Sequence, residues 1–213
     1  FCLWPNTMYG NKVVWRNPEN VLKEIEHFVR VEGYRSVYFD DDTQNACGWT
    51  RMKQLCDGMK DIGVPWLMLG RLDINTEDEF QYMIDHGCSG MRLGVESVSQ
   101  KQLDRMKKGT KVDDIKKKIE FLKKRTNLYL LFMHGFPGET QEERDEVVAY
   151  ANGLGVAYQN PMCCPFPGTP LYDTIASLVP EIRDVSPIEF DGNNLSSRLK
   201  EIIETYNRRI IGG

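Results

Sequence analysis

The sequence predicts an α/β fold built on one parallel sheet, and two observations predict it. Short apolar runs alternate with amphipathic helical segments along most of the 213 residues, which is the pattern of right-handed βαβ units. Each apolar run is followed by glycine or polar residues that end the strand and would share one edge of the sheet. The parallel strands are predicted over residues 36–39, 65–69, 90–95, 128–134 and 157–163.

Helices are predicted before, between and after these strands. Asn17-Pro18-Glu19 opens the first, whose apolar residues recur at helical spacing until Gly33. Beyond Asp173 the alternation of strand and helix fades, so we expect a core domain over 1–175 and a helical extension over 176–213. The remaining helices are expected over about 49–62 and 76–86, as a pair split at 108–110, and over about 140–153 and 195–211.

The clearest single unit is LYLLFMHGFPGET at 128–140. Its first residues are mostly large and apolar and suit a strand buried on both faces, and the turn at 135–138 breaks the extended backbone. Thr140 followed by Glu143 matches a capping box that opens the next helix. Because ligands of parallel α/β folds sit at the carboxyl ends of strands, we expect this turn to face a ligand.

Composition narrows the class of protein. Lys+Arg 27 against Asp+Glu 31 gives a net charge of -4, which disfavours a nucleic-acid partner for the chain as a whole. No apolar run is long enough to span a bilayer and no signal-peptide pattern is present, so a cytoplasmic location is expected. The six cysteines lack compact even spacing, and we expect reduced thiols rather than a disulfide framework.

Polar or glycine-rich residues follow every predicted strand. Each such segment alone is common in solvated loops, but together they lie on the face where parallel-sheet enzymes keep their sites. They therefore predict one ligand site. The segments are Asp40 to Thr43, Arg71 with Asp73, Glu96 with Ser97, Gly135 to Glu139 and Pro165 to Thr169.

Five motifs in order carry a resemblance to a known family. They are FCLWP at 1–5, FDDDT at 39–43, GVESVSQKQLDRMKKGT at 94–110, HGFPGET at 134–140 and PFPGTPLYD at 165–173. They resemble the cluster loop and the second, fourth, fifth and sixth strand motifs of the radical SAM superfamily, in its cobalamin-associated branch. The resemblance covers about residues 1–175 and implies a partial six-stranded barrel of parallel strands, in which Cys2 is the third cysteine of a CxxxCxxC loop.

This resemblance implies an enzyme that binds a 4Fe-4S cluster and S-adenosylmethionine (SAM) and generates a 5′-deoxyadenosyl radical. It further implies that the enzyme acts with cobalamin, in methyl transfer or ring-forming chemistry on a small molecule. The metal ligand in this sequence would be Cys2. The implied SAM contacts are Asp41, Asp42 and Thr43 for the ammonium group, Arg71 for the carboxylate, Glu96 and Ser97 for the ribose, and Met133, Gly135 and Phe136 for adenine.

The sequence starts one residue before Cys2, so the family's first strand and first two cluster cysteines are not in it. We therefore expect a core truncated at its N-terminus, from a longer enzyme that in this branch often carries a cobalamin-binding domain. One thiolate cannot hold a 4Fe-4S cluster. The 213-residue chain by itself is accordingly expected not to carry one.

Residues 101–125 form a basic segment with eleven basic and four acidic residues. One interpretation is a solvated helix pair, because Ile115, Ile119 and Leu122 give the second helix an apolar face. The other is a docking surface for an acidic electron donor such as a flavodoxin. A single-sign helix face is poor evidence for nucleic-acid binding.

Two functions from other classes stay open at this point. A conventional barrel enzyme could hold magnesium with Asp40, Asp41 and Asp42, because hard cations take carboxylate oxygens. Alternatively, with two cluster cysteines absent, the chain could be a catalytically dead binding module. Titration with magnesium and with SAM distinguishes a magnesium-dependent enzyme from a radical SAM enzyme. SAM binding without SAM cleavage would identify a catalytically dead binding module.

Overall fold

A parallel five-stranded sheet is the centre of the computed structural model, which describes residues 13–191 and 194–211. The strands lie in sequence order across the sheet, and every neighbouring pair is parallel. Their carboxyl ends therefore share one edge, as the sequence predicts. The strands are β1 (Val37–Phe39), β2 (Trp66–Arg71), β3 (Cys88–Glu96), β4 (Asn127–Phe132) and β5 (Ala157–Gln159).

The last strand is shorter than its predicted span of 157–163. Asn160 and Pro161 follow β5, and proline has no N–H to donate to the ladder, so regular pairing stops there. A single parallel bridge between His134 and Met162 then resumes contact with the chain beyond β4. The backbone thus still brings the segment around Met162 to the carboxyl edge.

The helices begin and end close to where the caps of the sequence place them. Asn17 caps the first helix, and Thr76 and Thr140 form capping boxes with Glu79 and Glu143. Within the described residues no helix is long and apolar enough to cross a membrane. The helices are α1 (Pro18–Arg30), α2 (Trp49–Ile62), α3 (Glu77–Asp85), α4 (Gln100–Arg105), α5 (Val112–Leu122), α6 (Gln141–Gly153), α7 (Pro170–Leu178) and α8 (Ser197–Ile211), with 3₁₀ turns at Gln44–Cys47, Pro180–Asp184 and Pro187–Glu189.

The two faces of the sheet differ sharply in burial. On one face, strand residues such as Met68, Leu93 and Leu130 are 0% exposed and belong to a cluster that includes Phe80 of α3 and Ile119 of α5. On the other face the side chains are only half-buried. We call this second surface the open face; it consists of Leu67, Leu69, Arg71, Arg92, Glu96, Tyr129, Leu131 and Met133.

A second apolar cluster lies beyond the carboxyl edge of the sheet. It includes Phe136 from the turn after β4, Leu171 of α7, and Leu199 and Ile203 of α8. Residues on both sides of the predicted boundary at 175 share this cluster, and the division into core and extension stays a prediction. The packing places the C-terminal helix next to the turn that the sequence predicts to face a ligand.

Candidate functional site

The carboxyl end of β2 carries an ion pair. Arg71 donates to both carboxylate oxygens of Asp73, at 3.0 Å from Nε and 2.6 Å from the terminal nitrogen. These hydrogen bonds raise the pKa of Arg71, and the charge of Glu96 adds to the rise. Burial opposes ionisation of Asp73, but the hydrogen bonds and charge of Arg71, together with the charge of Lys108, hold the pKa of that carboxyl below its usual value. Arg71 is therefore fixed in place before any ligand arrives.

A second ion pair lies at the carboxyl end of β3. Lys108 Nζ is 2.7 Å from Glu96 Oε1 and donates to the carbonyl of Gly94 at 3.2 Å. The Lys108 side chain is only 7% exposed and that of Glu96 is 22% exposed. Glu96 has a backbone φ of 68°, which costs free energy at a residue with a side chain and is typical of functional sites. Its motif is thus held in a strained geometry that presents the carboxylate to the site.

Gly94 leaves the space that this pair occupies. The pairing between β3 and β4 shifts register between Gly94 and Glu96, a bulge that re-aims the following side chain. A Cβ at Gly94 would lie 2.9 Å from Glu96 Oε1 and 3.6 Å from Lys108 Nζ. Glycine at 94 therefore lets the Glu96 carboxylate fold back over the open face. Together with Arg71 and Asp73, the pair forms a cluster of two cations and two anions at the ends of two neighbouring strands.

The acidic loop after β1 is adjacent to this edge and is anchored by Asn45. Partial desolvation raises the pKa of Asp41, and the charge of Arg51 lowers it in part. The Thr43 hydroxyl donates to the carbonyl of Asp42 at 2.7 Å. Behind the loop, Asn45 donates to the carbonyl of Arg71 at 2.7 Å and accepts from the Arg71 amide at 3.0 Å. The loop and the end of β2 are thereby locked to one another.

We expect Asn45→Ala to lower the free energy of unfolding by about 1 to 3 kcal/mol, because it leaves buried backbone groups without partners. Asn45 is 2% exposed and also donates to Asn75 Oδ1 at 2.8 Å. Urea unfolding followed by circular dichroism measures the change. The exposed Asn20→Ala on α1 is the control and should change stability by less than about 0.5 kcal/mol. Equal stabilities for the two variants would show that Asn45 does not anchor the loop.

The turn after β4 is held by groups that converge from three places. The Glu139 carboxylate accepts from the Gly135 amide at 2.5 Å and from Arg144 Nε at 3.3 Å. From α8, the Asn207 side chain accepts from the Gly138 amide at 3.3 Å and donates to the Gly135 carbonyl at 3.4 Å. Gly135 has a φ of 78°, and a Cβ there would come within 2.9 Å of Met162. The turn is therefore rigid and specific for glycine at 135.

The remaining predicted contacts are distributed around this turn. Met133 is half-buried on the open face, and its amide donates to the Glu96 carbonyl at 2.9 Å. Phe136 is 8% exposed within the second cluster. Ser97 is fully buried, and its hydroxyl oxygen accepts from the Ser99 amide at 3.1 Å. The structure thus brings Met133 and Glu96 together, whereas the Ser97 hydroxyl is engaged inside the protein.

Burial favours the neutral forms of His134, Cys163 and Cys164, which lie beside the turn. Burial lowers the pKa of His134, whose Nδ1 lies 2.9 Å from the carbonyl of Asn160. Burial raises the pKa of both Cys163 and Cys164 to about 12. Both thiols are therefore protonated in the protein as it stands.

The predicted metal ligands fall partly inside and partly outside the described residues. Cys2, the predicted cluster ligand, lies outside the described residues. Over 13–191 and 194–211, no three histidine, cysteine, aspartate or glutamate side chains converge as metal ligands. Asp40, Asp41 and Asp42 therefore do not converge as a three-carboxylate group in this part of the chain.

Most charges of the basic segment are engaged within the fold. Lys108 pairs with Glu96, Lys117 with Glu77 at 3.2 Å, Lys123 with Glu120 at 2.6 Å, and Arg105 with Glu143 at 2.9 Å. The Lys117 and Arg105 pairs each join two helices, and all four pairs reduce the local excess of positive charge. Among the described contacts, the basic side chains of this segment with no acidic partner include Lys101, Lys107, Lys111 and Lys124.

The residues of the basic segment also lie at different edges of the sheet. Lys123, Lys124 and Arg125 precede β4 and, with Lys60 and His86, line a groove of about 730 Å³ at the amino-terminal edge. The charged cluster lies at the opposite, carboxyl-terminal edge. His134 is seven positions after Asn127 along the chain, which is roughly 23 Å of extended strand. The groove is therefore not part of the candidate site.

Two residues of the site were missed in the sequence: Lys108 and Arg92. Lys108 looked like one lysine among eleven basic residues, and no local pattern connects it to a carboxylate twelve positions earlier. Arg92 lies in the middle of β3 on the open face. A charged residue inside an apolar strand, flanked by Gly90 and Gly94, was a usable signal because strand interiors rarely carry unpaired charge.

Parallel strands with charged side chains gathered at their carboxyl ends are typical of α/β enzymes, which bind their ligands at that edge. Residues 1–151 match the radical SAM superfamily. The chain belongs to the radical SAM superfamily.

Two curated relatives show the level of sequence similarity. An uncharacterized methyltransferase of Pyrococcus horikoshii is 28% identical over 178 residues, which cover 78% of this chain and 37% of that protein. The ribosomal protein uS12 methylthiotransferase RimO of Clostridium botulinum is 28% identical over 158 residues, covering 65% of this chain and 34% of that protein. The chain thus spans about a third of the length of these relatives.

Solved structures confirm the partial-barrel fold. The radical SAM methyltransferase TsrM of Kitasatospora setae, solved with cobalamin and a 4Fe-4S cluster, aligns with a TM-score of 0.67 at 18% identity, covering 78% of this chain and 32% of that one. The archaeal Elp3 of Methanocaldococcus infernus aligns with a TM-score of 0.54 at 18% identity, covering 91% and 59%. At such identities the likeness concerns the fold alone.

Membership of the superfamily implies a 4Fe-4S cluster and SAM, and the described residues fit the second of these. SAM carries an ammonium and a carboxylate on one end, and a zwitterion is matched by a site that offers both signs of charge. Arg71 at the end of β2 supplies the cation, and Asp41 and Asp42 of the adjacent acidic loop supply the anions. The neighbouring half-buried Met133 adds an apolar edge beside the Gly135 turn.

Proposed function

We propose that the chain is the SAM-binding core of a radical SAM enzyme of the cobalamin-associated branch, which modifies a small-molecule substrate by methyl transfer or ring formation. The similarity to methyltransferase and methylthiotransferase relatives supports group transfer. The fold shared with TsrM and with the cobalamin-dependent radical SAM enzyme OxsB supports the branch. The observation that carries the proposal is the four-charge cluster of Arg71, Asp73, Glu96 and Lys108 at the edge where this family's motifs gather.

Different residues would contact the ribose, the ammonium group and the carboxylate of SAM. Glu96 would accept from the ribose hydroxyls with one carboxylate oxygen, while Lys108 holds the other at 2.7 Å. The acidic loop at Asp41, Asp42 and Thr43 would accept from the ammonium group, and Arg71 would meet the carboxylate as part of its pair with Asp73.

The adenine would lie against Met133, Gly135 and Phe136, where the rigid turn offers a fixed surface. Cys2 would be a cluster ligand. When bound, the cluster and SAM supply the one-electron chemistry of the superfamily. The protein's own contribution is orientation and the exclusion of water from the cofactor's reactive end.

An acidic electron donor such as a flavodoxin is proposed as a partner at the carboxyl-edge part of the basic segment. Lys101, Lys107 and Lys111 lie on the chain that follows β3, near Lys108, and have no acidic partner among the described contacts. The lysines at 123–124 are at the far edge and are not included. The electrostatic attraction between these three lysines and an acidic donor would weaken with added salt, so the association rate should fall.

Glu96→Gln should weaken SAM binding by about 1 to 3 kcal/mol, roughly a fivefold to 150-fold rise in Kd, because a charged hydrogen bond is lost while the volume is kept. Isothermal titration of the full-length enzyme with SAM measures this change. Glu204→Gln, exposed on α8, is the matched control and should bind like wild type. An unchanged Kd for Glu96→Gln would remove Glu96 from the cofactor site.

The same preparation separates the catalytically dead binding module from the enzyme. After reduction under anaerobic conditions, an active enzyme releases 5′-deoxyadenosine from SAM, whereas a binding module retains intact SAM. We expect release with wild type and a reduced amount with Glu96→Gln. Binding with no release from the wild-type holoenzyme would favour the module.

A further inference from the structure

Arg92 lies in the middle of the open face and has no ion-pair partner among the described residues. It is the central residue of β3 and aligns in register with Leu69 of β2 and Tyr129 of β4. Its guanidinium carbon lies 4.8 Å from the centre of the Tyr129 ring, a distance typical of a cation–π contact. Its Nε is buried and has no hydrogen-bond partner.

The acidic groups closest along the open face are already engaged. Glu96 is bound to Lys108, and Asp73 is bound to Arg71 by two hydrogen bonds. Over the described residues no carboxylate lies within ion-pair distance of Arg92. The surrounding open-face side chains are apolar: Leu67, Leu69, Tyr129 and Leu131.

Such an arrangement favours an anion that comes from outside the chain. A half-buried guanidinium without hydrogen-bond acceptors is costly, and a carboxylate or phosphate that binds it in bidentate fashion offsets that cost. The flat Tyr129 ring and the leucines suit an apolar or aromatic body attached to the anion. The charge of Arg92 and the apolar surface around it therefore both favour a molecule with an anionic group on a planar, apolar body.

We propose that Arg92 binds the anionic group of the substrate, and that the substrate is a small molecule carrying a carboxylate or phosphate on a planar, largely apolar body. This inference rests on the proposed function, because it takes the Glu96 edge as the SAM site. Arg92 is two residues below Gly94 on the same face, about 7 Å along the strand. A substrate bound at Arg92 would extend along the strand toward the carboxyl-terminal edge, where SAM is proposed to bind.

SAM itself carries a carboxylate, so two sources of the anion must be distinguished. If Arg92 serves the substrate, its loss leaves SAM affinity unchanged, since the cofactor's carboxylate is met by cations at the strand ends. If Arg92 serves SAM, its loss weakens SAM binding instead. The two measurements are independent of each other.

The test uses the full-length enzyme with phenylacetate and phenyl phosphate as anionic probes and phenylacetamide as the neutral isostere. Ligand-observed NMR titration gives each Kd for wild type, Arg92→Met, Arg92→Lys and the exposed control Arg183→Met. Wild type and Arg183→Met should bind at least one anionic probe about tenfold or more tightly than the amide, in line with a charged hydrogen bond. Arg92→Met should bind all three probes equally, Arg92→Lys should retain part of the preference, and SAM should bind every variant within about twofold of wild type.

Several outcomes would overturn the proposal. Equal affinity of wild type for the anions and the amide excludes an anion site on this face, whatever the variants do. Preference that persists in a folded Arg92→Met protein places the anion elsewhere. Weaker SAM binding by Arg92→Met, with probe preference retained, assigns Arg92 to the cofactor. Failure of wild type to bind SAM refutes the proposed function but leaves the probe comparison to decide the anion site by itself.

Discussion

Replacing Glu139 by alanine is expected to lower the free energy of unfolding by about 2 to 3 kcal/mol, because a buried amide loses its charged acceptor and the partly exposed Arg144 loses its partner. The Glu139 side chain is 1% exposed and meets Arg144. It also accepts from the Gly135 amide, which would be left buried without an acceptor. Chemical denaturation of the variant and wild type under identical conditions measures the difference.

The loss should extend to function, because Glu139 holds the turn where adenine is proposed to lie. We expect SAM to bind Glu139→Ala more weakly even below the unfolding transition. Glu139→Gln keeps an acceptor for the Gly135 amide and should lose less stability. Glu146→Ala, on the exposed side of the same helix, should change stability by less than about 0.5 kcal/mol. If Glu139→Ala unfolded like Glu146→Ala, the carboxylate would not be what holds the turn.

The strands and most helix boundaries could be predicted from sequence because the signals are local. Apolar runs ending in glycine define β2, β3 and β4, and the capping boxes at Thr76 and Thr140 mark helix starts to within a residue. The end of β5 was placed too far along because the apolar pattern continued while Pro161 removed a donor. The end of a strand is therefore predicted well where the apolar run and the backbone hydrogen bonds stop at the same residue, and less well where they stop at different residues.

The interactions inside the site could not be predicted in the same way. Asn207 is 72 positions from Gly135, and its contact arises only when α8 packs on the turn. The pairing of Lys108 with Glu96 depends on a bulge at Gly94 that no residue pattern specifies by itself. Residue types at strand ends indicated where a ligand binds, but tertiary packing decides which charges face it. Arg92 illustrates this point, since only the register with Leu69 and Tyr129 shows that it lacks an acidic neighbour.

The ion pair of Glu96 and Lys108 should show an asymmetric response to mutation. Lys108 is the more buried partner, at 7% exposure against 22% for Glu96. Glu96→Ala leaves that ammonium with only the Gly94 carbonyl, and we expect a loss of about 2 to 4 kcal/mol in the free energy of unfolding, somewhat less than for a fully buried pair. Lys108→Met leaves a more exposed carboxylate and should cost less.

The double variant Glu96→Ala/Lys108→Met decides whether the charge pair is the cause. With both charges gone, no buried ion is left unpaired, so at least half of the loss seen in Glu96→Ala should be recovered, as found when buried ion pairs are replaced by apolar groups. SAM binding should stay weak in the double variant, because the carboxylate proposed to hold the ribose is still absent. Additive stability losses would mean that the two side chains act independently. Recovered stability together with weak SAM binding would show that the pair has a structural role and that Glu96 has a separate role in binding.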